Sequence, residues 1–171
     1  MESRDLLLTA FDDIEGFVRA ALDGIDPALL TVRLDTEANT IAWLVWHLAR
    51  VQDDHLAGVG GCEQAWTAEG FAERFALPYA VDEIGYGHTS EQVGSFDVTD
   101  TGLLVGYHDA VHAMTMRVLD LMDDVALERV VDEGWDPPVT AAVRLVSVIG
   151  DAQAHLGQIG YVRGMAERRT R

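Results

Sequence analysis

The chain has 171 residues, 49% of them apolar, which suits one globular domain with a proper core spanning residues 1–171. Asp and Glu number 29 against 12 Lys and Arg, and a formal net charge of −17 repels phosphate backbones, so nucleic acid is excluded as a partner. No stretch approaches the ~18 uninterrupted apolar residues of a membrane span.

The start, "MESRDLLLTAFDDIEGF", is acidic and amphipathic, with neither the basic opening nor the cleavage site of a secretory signal. A cytoplasmic protein is expected. From about Arg4 to Leu22, after a candidate N-cap at Ser3, Leu7, Phe11, Ile14, Val18 and Leu22 recur at helical spacing. A second helix is expected from about Thr40 to Ala57, closed by the glycines of "GVGG". Ile41, Leu44, Leu48 and Val51 form its stripe, with Trp43 and His47 along one edge.

The segment from Cys62 to Asp100 reads as a short helix around Phe71 followed by an irregular aromatic loop. Long loops in compact domains often carry function. Trp66, Phe71, Phe75, Tyr79 and Tyr86 there can line a pocket or simply pack one end of the fold. Cys62 is the single cysteine, so no internal disulfide is available, and no base is evident that would make it a catalytic thiol.

A third helix is expected from about Thr101 to Met122, on Leu104, Val111, Met114, Val118 and Leu121. A fourth starts near "DPPVT", where prolines suit the first turn, and runs to about Glu167. No strand pattern of useful length occurs. The expectation is an all-α four-helix bundle with long crossover connections. Arg163, Arg168, Arg169 and Arg171 near the C-terminus suit the negative end of that last helix.

Chemistry concentrates on the fourth helix. Ala141, Leu145, Val148, Ala152, His155, Ile159 and Val162 alternate at spacings of four and three, the inward seam of a bundle helix. Asp151 lies one turn before His155, beside the same seam. A carboxylate there is costly unless it is paired or binds a cation. The two residues read equally well as a hydrogen-bonded pair or as two ligands of one metal ion. His47, set among the apolar residues of "IAWLVWHLARV", is a candidate third ligand, although alone it reads as a core histidine bonded to a carbonyl.

Competing histidines are weaker candidates. His108 and His112 are four apart in "YHDAVH" but read as surface residues. His55 follows "QDD" and reads as solvated, and His88 in "YGHTS" reads as a turn residue. No Gly-x-Ser-x-Gly elbow and no phosphate-cradling loop is present.

Two segments, "NTIAWLVWHLARVQDDHL" and "DAQAHLGQIGYVRG", resemble the second and last helices of the DinB-like superfamily. The loop "GYGHTSEQVGSF" and the stretch "LLVGYHDAV" also resemble actinobacterial members. The resemblance implies a four-helix bundle with unusual crossovers and a divalent metal held by His47, Asp151 and His155. The first ligand on the last helix is often His in that superfamily and here is Asp151. Two imidazoles and a carboxylate still suit Zn²⁺, Ni²⁺, Fe²⁺ or Mn²⁺.

Members include thiol-dependent transferases and a maleylpyruvate isomerase that use small thiols such as mycothiol or bacillithiol. The function implied is a metal-dependent S-transferase acting on a small-molecule substrate and a low-molecular-weight thiol. In such an enzyme Gln158 would orient a ligand from behind, or it is a surface amide. The alternatives are a non-catalytic metal-binding stress-response protein and a metal-free helical interaction domain. By resemblance, a homodimer is also expected.

Overall fold

In the computed structural model, which describes residues 2–169, the elements in chain order are α1 (Ser3–Leu22), a 3₁₀ turn (Pro27–Leu29), α2 (Ile41–Gly60), α3 (Ala65–Ala68), α4 (Phe71–Phe75), α5 (Ser90–Gly94), α6 (Thr101–Asp120), α7 (Asp124–Leu127), β1 (Val130–Asp132), β2 (Val139–Thr140) and α8 (Ala141–Arg169). The four long helices make an all-α bundle. α2 packs against both α8 and α6, and α1 packs against α6 and α8. Among the described residues no helix is long and apolar enough to cross a membrane.

The sequence spacings explain which faces turn inward. Phe11, Ile14, Val18 and Leu22 of α1 are buried, with Leu7 half-buried at the open end. α2 begins where Thr40 Oγ1 accepts a hydrogen bond from the Trp43 backbone N–H at 3.1 Å, and ends at Gly61 in the left-handed region at φ 63°. Its expected stripe understates its burial. Every residue from Ile41 to Asp53 is buried, because α6, α8 and the aromatic loop surround the helix.

In α6 the expected stripe holds at Leu104, Val111, Met114 and Val118 but fails at Leu121, which is 88% exposed. The helix stops at Asp120, so the 3.6-residue period no longer governs position 121, and Met122 turns inward instead. α8 buries Ala141, Leu145, Val148, Ala152, Ile159 and Val162, the expected seam.

The start of the last helix is corrected. Pro137 and Pro138 lie in the connection between β1 and β2, and the helix begins at Ala141, with Thr140 Oγ1 accepting from the Val143 N–H at 3.3 Å. The two strands pair antiparallel, Val130 with Thr140. At three and two residues they are too short to show alternation in the sequence.

The long connection after α2 forms three short helices rather than one. Trp66, Phe71 and Phe75 are buried around Tyr107, with ring centroids 5.1, 5.0 and 5.7 Å from it. Tyr79 packs on Trp46 and His88. These aromatics are core; Tyr86 alone of the five stands out, 90% exposed.

The basic C-terminus departs from expectation in part: Arg168 and Arg169 lie in the last turn of α8 as expected. Arg163 serves another helix, donating to the Ala21 and Asp23 carbonyls at the end of α1 (2.8 and 3.1 Å). Arg169 donates to the Leu34 carbonyl, and Arg171 lies outside the described residues.

The surface reading of the α6 histidines is corrected as well. His112 is half-buried and pairs with Asp12 at 3.2 Å, whereas His108 is 1% exposed, with no hydrogen-bond partner at either ring nitrogen among the described residues. Packing of α1 across α6 removes this face from water. Burial, assisted by nearby His112 and Arg19, lowers the His108 pKa to about 3 from an ordinary value of 6.5.

Above about pH 6.5 neither folded nor unfolded chain protonates this ring, and it imposes no pH dependence. Below that the unfolded chain takes up a proton that the folded protein refuses, so stability falls by about 1.4 kcal/mol per pH unit toward pH 3. His108→Leu removes both the desolvated nitrogens and this proton linkage. Urea unfolding should therefore show the variant's advantage over the parent growing by about 2 kcal/mol from near pH 7 to near pH 5. A constant difference across that range would contradict the assignment.

Candidate metal centre

α2 and α8 face each other at mid-bundle, and there the structure brings His47, Asp151 and His155 together. One ligand-type atom from each lies within 4.8 Å of the others, a spacing at which the three could hold one cation. The His47 and His155 rings meet edge to face with centroids 4.8 Å apart. His47 is buried, while Asp151 and His155 are half-buried on the α8 side.

The hydrogen bonds behind the rings determine what the front can do. The Ile84 carbonyl lies 2.5 Å from His47 Nδ1, and Gln158 Oε1 lies 3.0 Å from His155 Nδ1. Both partners are acceptors, so each Nδ1 carries the proton and each Nε2 is left with a lone pair. That is the arrangement of metal-ligating imidazoles, whose outer nitrogen donates to an oxygen. His155 Nε2 then faces Asp151 Oδ1 at 3.5 Å. Two acceptors facing each other require a proton or a cation between them. Asp151 Oδ2 is buried without a hydrogen-bond partner among the described residues. The donor set and this orphaned oxygen both fit a divalent ion.

The charge states of His47 and Asp151 agree with that fit, while His155 holds its proton more tightly until a cation replaces it. Burial lowers the His47 pKa, which keeps the ring neutral near pH 7 and free to coordinate. Burial opposes ionisation of Asp151, but His155, His47 and His55 together outweigh it and hold the carboxyl below its ordinary value. The Asp151 hydrogen bond is the main cause of the raised His155 pKa, against the opposing effect of burial.

His47 is fixed from two sides. Trp43 stacks on its ring, centroids 4.7 Å apart and 18° from parallel. The turn 83–88 lies against it, pinned to α2 by Arg50 Nε donating to the Glu83 carbonyl (3.2 Å) and by Trp43 Nε1 donating to His88 Nδ1 (3.3 Å). His88 Nε2 in turn reaches Glu83 Oε2 at 2.7 Å. Gly85 makes this approach possible: its φ is +90°, and a Cβ there would stand 2.7 Å from His47 Nδ1. Only glycine lets the backbone press the Ile84 carbonyl onto the imidazole.

The competing histidines play other parts than expected. His88 is not a simple turn residue; its side chain is 4% exposed and packs between Trp46 and Tyr79. His55 is half-buried rather than solvated, lies 3.3 Å from Asp54 and lends charge to Asp151. His108 and His112 lie on the α1 side of the bundle, away from the triad. Cys62 is exposed, beyond the end of α2.

The turn 83–88 and Arg50 escaped the sequence reading. The signals were present: two glycines flanking Tyr86, and one arginine in a run of apolar residues on α2. What the spacing could not show is that a backbone carbonyl far along the chain would orient the histidine.

Comparison with known proteins follows the geometry. The family model for Mycothiol-S-transferase matches residues 6–167. A crystal structure titled as a conserved protein from Enterococcus faecalis superposes with a TM-score of 0.88 at 31% identity, covering 95% of this chain and 96% of that one. No curated protein matches.

Proposed function

The chain belongs to the mycothiol-S-transferase family, and from that premise we propose that it is a divalent-metal-dependent S-transferase using a low-molecular-weight thiol of the mycothiol class, with His47, Asp151 and His155 as the metal ligands. One observation carries the reading. His155 presents Nε2 to Asp151, an oxygen acceptor occupies the Nδ1 of each imidazole, and one ligand-type atom of each of the three residues lies within 4.8 Å of the others.

Three protein ligands leave coordination positions open, the mark of a catalytic rather than a structural site. When bound, a divalent ion there lowers the pKa of a thiol and supplies thiolate near neutral pH. The residues set the terms for that chemistry. His47 and His155 contribute neutral donors in fixed orientations, and Asp151 contributes one negative charge. Against a dication these residues would leave a single positive charge, which suits an anionic sulfur ligand. Trp43 and the turn 83–88 shield the α2 side of His47 from water.

The reaction class joins the thiol sulfur to an electrophilic carbon. The sulfur–carbon bond forms, the leaving group departs with its bonding electrons, and the thiol proton goes to solvent. The test uses protein purified without a polyhistidine tag. Elemental analysis should find close to one equivalent of Zn²⁺, Ni²⁺, Fe²⁺ or Mn²⁺. Turnover of an aryl halide with mycothiol should disappear with chelator and return with the cation. Less than about a tenth of an equivalent after incubation with these ions would overturn the metal site.

A further inference from the structure

One end of the bundle, formed by the starts of α1 and α8 and the connection from α6 to β2, gathers apolar side chains that nothing covers. Of the eleven large apolar side chains exposed among the described residues, seven belong to it. Leu121, Val125, Val130 and Trp135 follow one another along the connection, and Leu6, Val143 and Val146 stand on the two helices. A contiguous apolar surface of this kind marks an interaction site.

Between α1, α7 and α8 the surface sinks into a slot of about 540 Å³. Leu7, Leu127 and Ala142 form its floor, with Leu6 and Val146 exposed at its rims. Asp124 and Glu128 stand in the α7 wall, four residues apart across a single turn. Both are exposed, and neither carboxylate has a hydrogen-bond or ion-pair partner among the described residues. No described cation lines the slot. From Asp120 to Asp136 seven acidic residues face one basic residue, Arg129, and that guanidinium donates to the Val59 carbonyl. Arg144 is taken by Asp132 at 2.6 Å.

These features select an occupant. A second copy would bring a second set of the same carboxylates into the interface, and nucleic acid or an anionic lipid surface is repelled in the same way. A small cation would meet the carboxylates but leave Leu6, Val125 and Val146 in water. An extended strand has nothing to pair with, because the walls are helices whose backbone groups bond internally. A helix with an apolar stripe and two cationic side chains one turn apart satisfies both halves of the lining.

We propose that this slot docks a cationic amphipathic helix of a partner protein, with its apolar stripe between Leu6 and Val146 and its lysines or arginines against Asp124 and Glu128. The inference is independent of the S-transferase reading. Val146 precedes His155 by about 14 Å along α8, so the metal centre serves as an internal reference.

The probe is a fluorescein-labelled peptide of about 14 residues, roughly four turns, built from leucine and lysine with leucine at helical spacing. Two companion peptides keep one half each, leucine with glutamate and serine with lysine. Anisotropy with the full chain should show saturable binding of the leucine–lysine peptide and of neither companion at the same concentrations. Asp124→Lys with Glu128→Lys should weaken it at least tenfold, and Leu6→Ser with Val146→Ser at least fivefold. Glu37→Lys with Glu91→Lys makes the same change of net charge beside the C-terminal end of α8, and should leave binding within twofold of the parent. All six side chains are exposed, so melting temperature and metal content serve to confirm unaltered folding.

Equal losses in the two charge-reversed variants would reduce the binding to overall charge and overturn the proposal. Failure of the leucine–lysine peptide to bind, or equal binding of the leucine–glutamate peptide, would overturn it too. So would a dimer in light scattering that Leu6→Ser with Val146→Ser dissolves, since a second copy then covers the slot.

Discussion

His155→Ala protein should fold, bind less than about a tenth of an equivalent of divalent metal, and turn over thiol and electrophile at least ~10³-fold more slowly than the parent. The magnitude follows from what remains. Two ligands, one on each of two helices, hold a cation far more weakly than three, and removing an outer hydrogen-bond partner alone typically costs 10–100-fold. His155 is the informative position because it is half-buried, and its loss leaves the exposed Gln158 amide and the half-buried Asp151 carboxylate without their partner.

His47→Ala should be as inactive but less stable. It strands the Ile84 carbonyl and opens a space beneath Trp43, for about 1–3 kcal/mol from the unpaired acceptor alone. Asp151→Asn separates charge from shape, keeping an oxygen donor while removing the negative charge, and should retain weakened binding. Elemental analysis, melting temperature and turnover, measured on all three, check the set. Turnover of His155→Ala within tenfold of the parent would reject the metal site as the reaction centre.

How much of this was legible in the sequence depends on whether the cause is local. The α8 seam from Ala141 to Val162 is a property of one helix, so periodicity shows it, and with it the inward placement of His155. The resemblance, carried by the segments around His47 and His155, supplied the pairing of α2 with α8. The α2 stripe understates the buried surface because burial from three directions erases amphipathicity. Leu121 was misplaced because the helix ended one residue earlier than its pattern.

His108 resists reading for another reason. A histidine flanked by Tyr107 and Asp109 looks like surface until α1 is known to cross it. The Ile84 carbonyl is invisible in principle, since every residue has a carbonyl. Only the glycine after it hints that the backbone comes close.

Asp53→Ala should destabilise the protein by about 3–5 kcal/mol, on the order of a 10 °C fall in melting temperature for a chain of this size. Asp53 is fully buried on α2 and ties together the connection that follows it. Its carboxylate accepts from the Ala65 and Trp66 backbone N–H groups, both at 2.8 Å, and from the Tyr107 hydroxyl at 2.9 Å. Arg50, also fully buried, lies 3.6 Å away and stacks over Trp66. Burial pushes the Asp53 pKa up, against the four groups that favour its charge, so the carboxylate is tolerated only because they surround it.

Alanine would leave three donors unpaired and a guanidinium without its counter-charge in the interior. The neighbouring Asp54→Ala is the control. That carboxylate is part-exposed, bonds Gln64 and His55, and should cost less than about 1 kcal/mol. The damage at Asp53 should also reach the metal centre. Arg50 holds the Glu83 carbonyl, the residue before the one that orients His47, so a displaced guanidinium loosens the turn behind the imidazole. Metal affinity of folded Asp53→Ala protein, measured well below its melting temperature, should fall about tenfold or more. Equal melting temperatures for the two variants would show that this buried network does not hold the loop to the bundle.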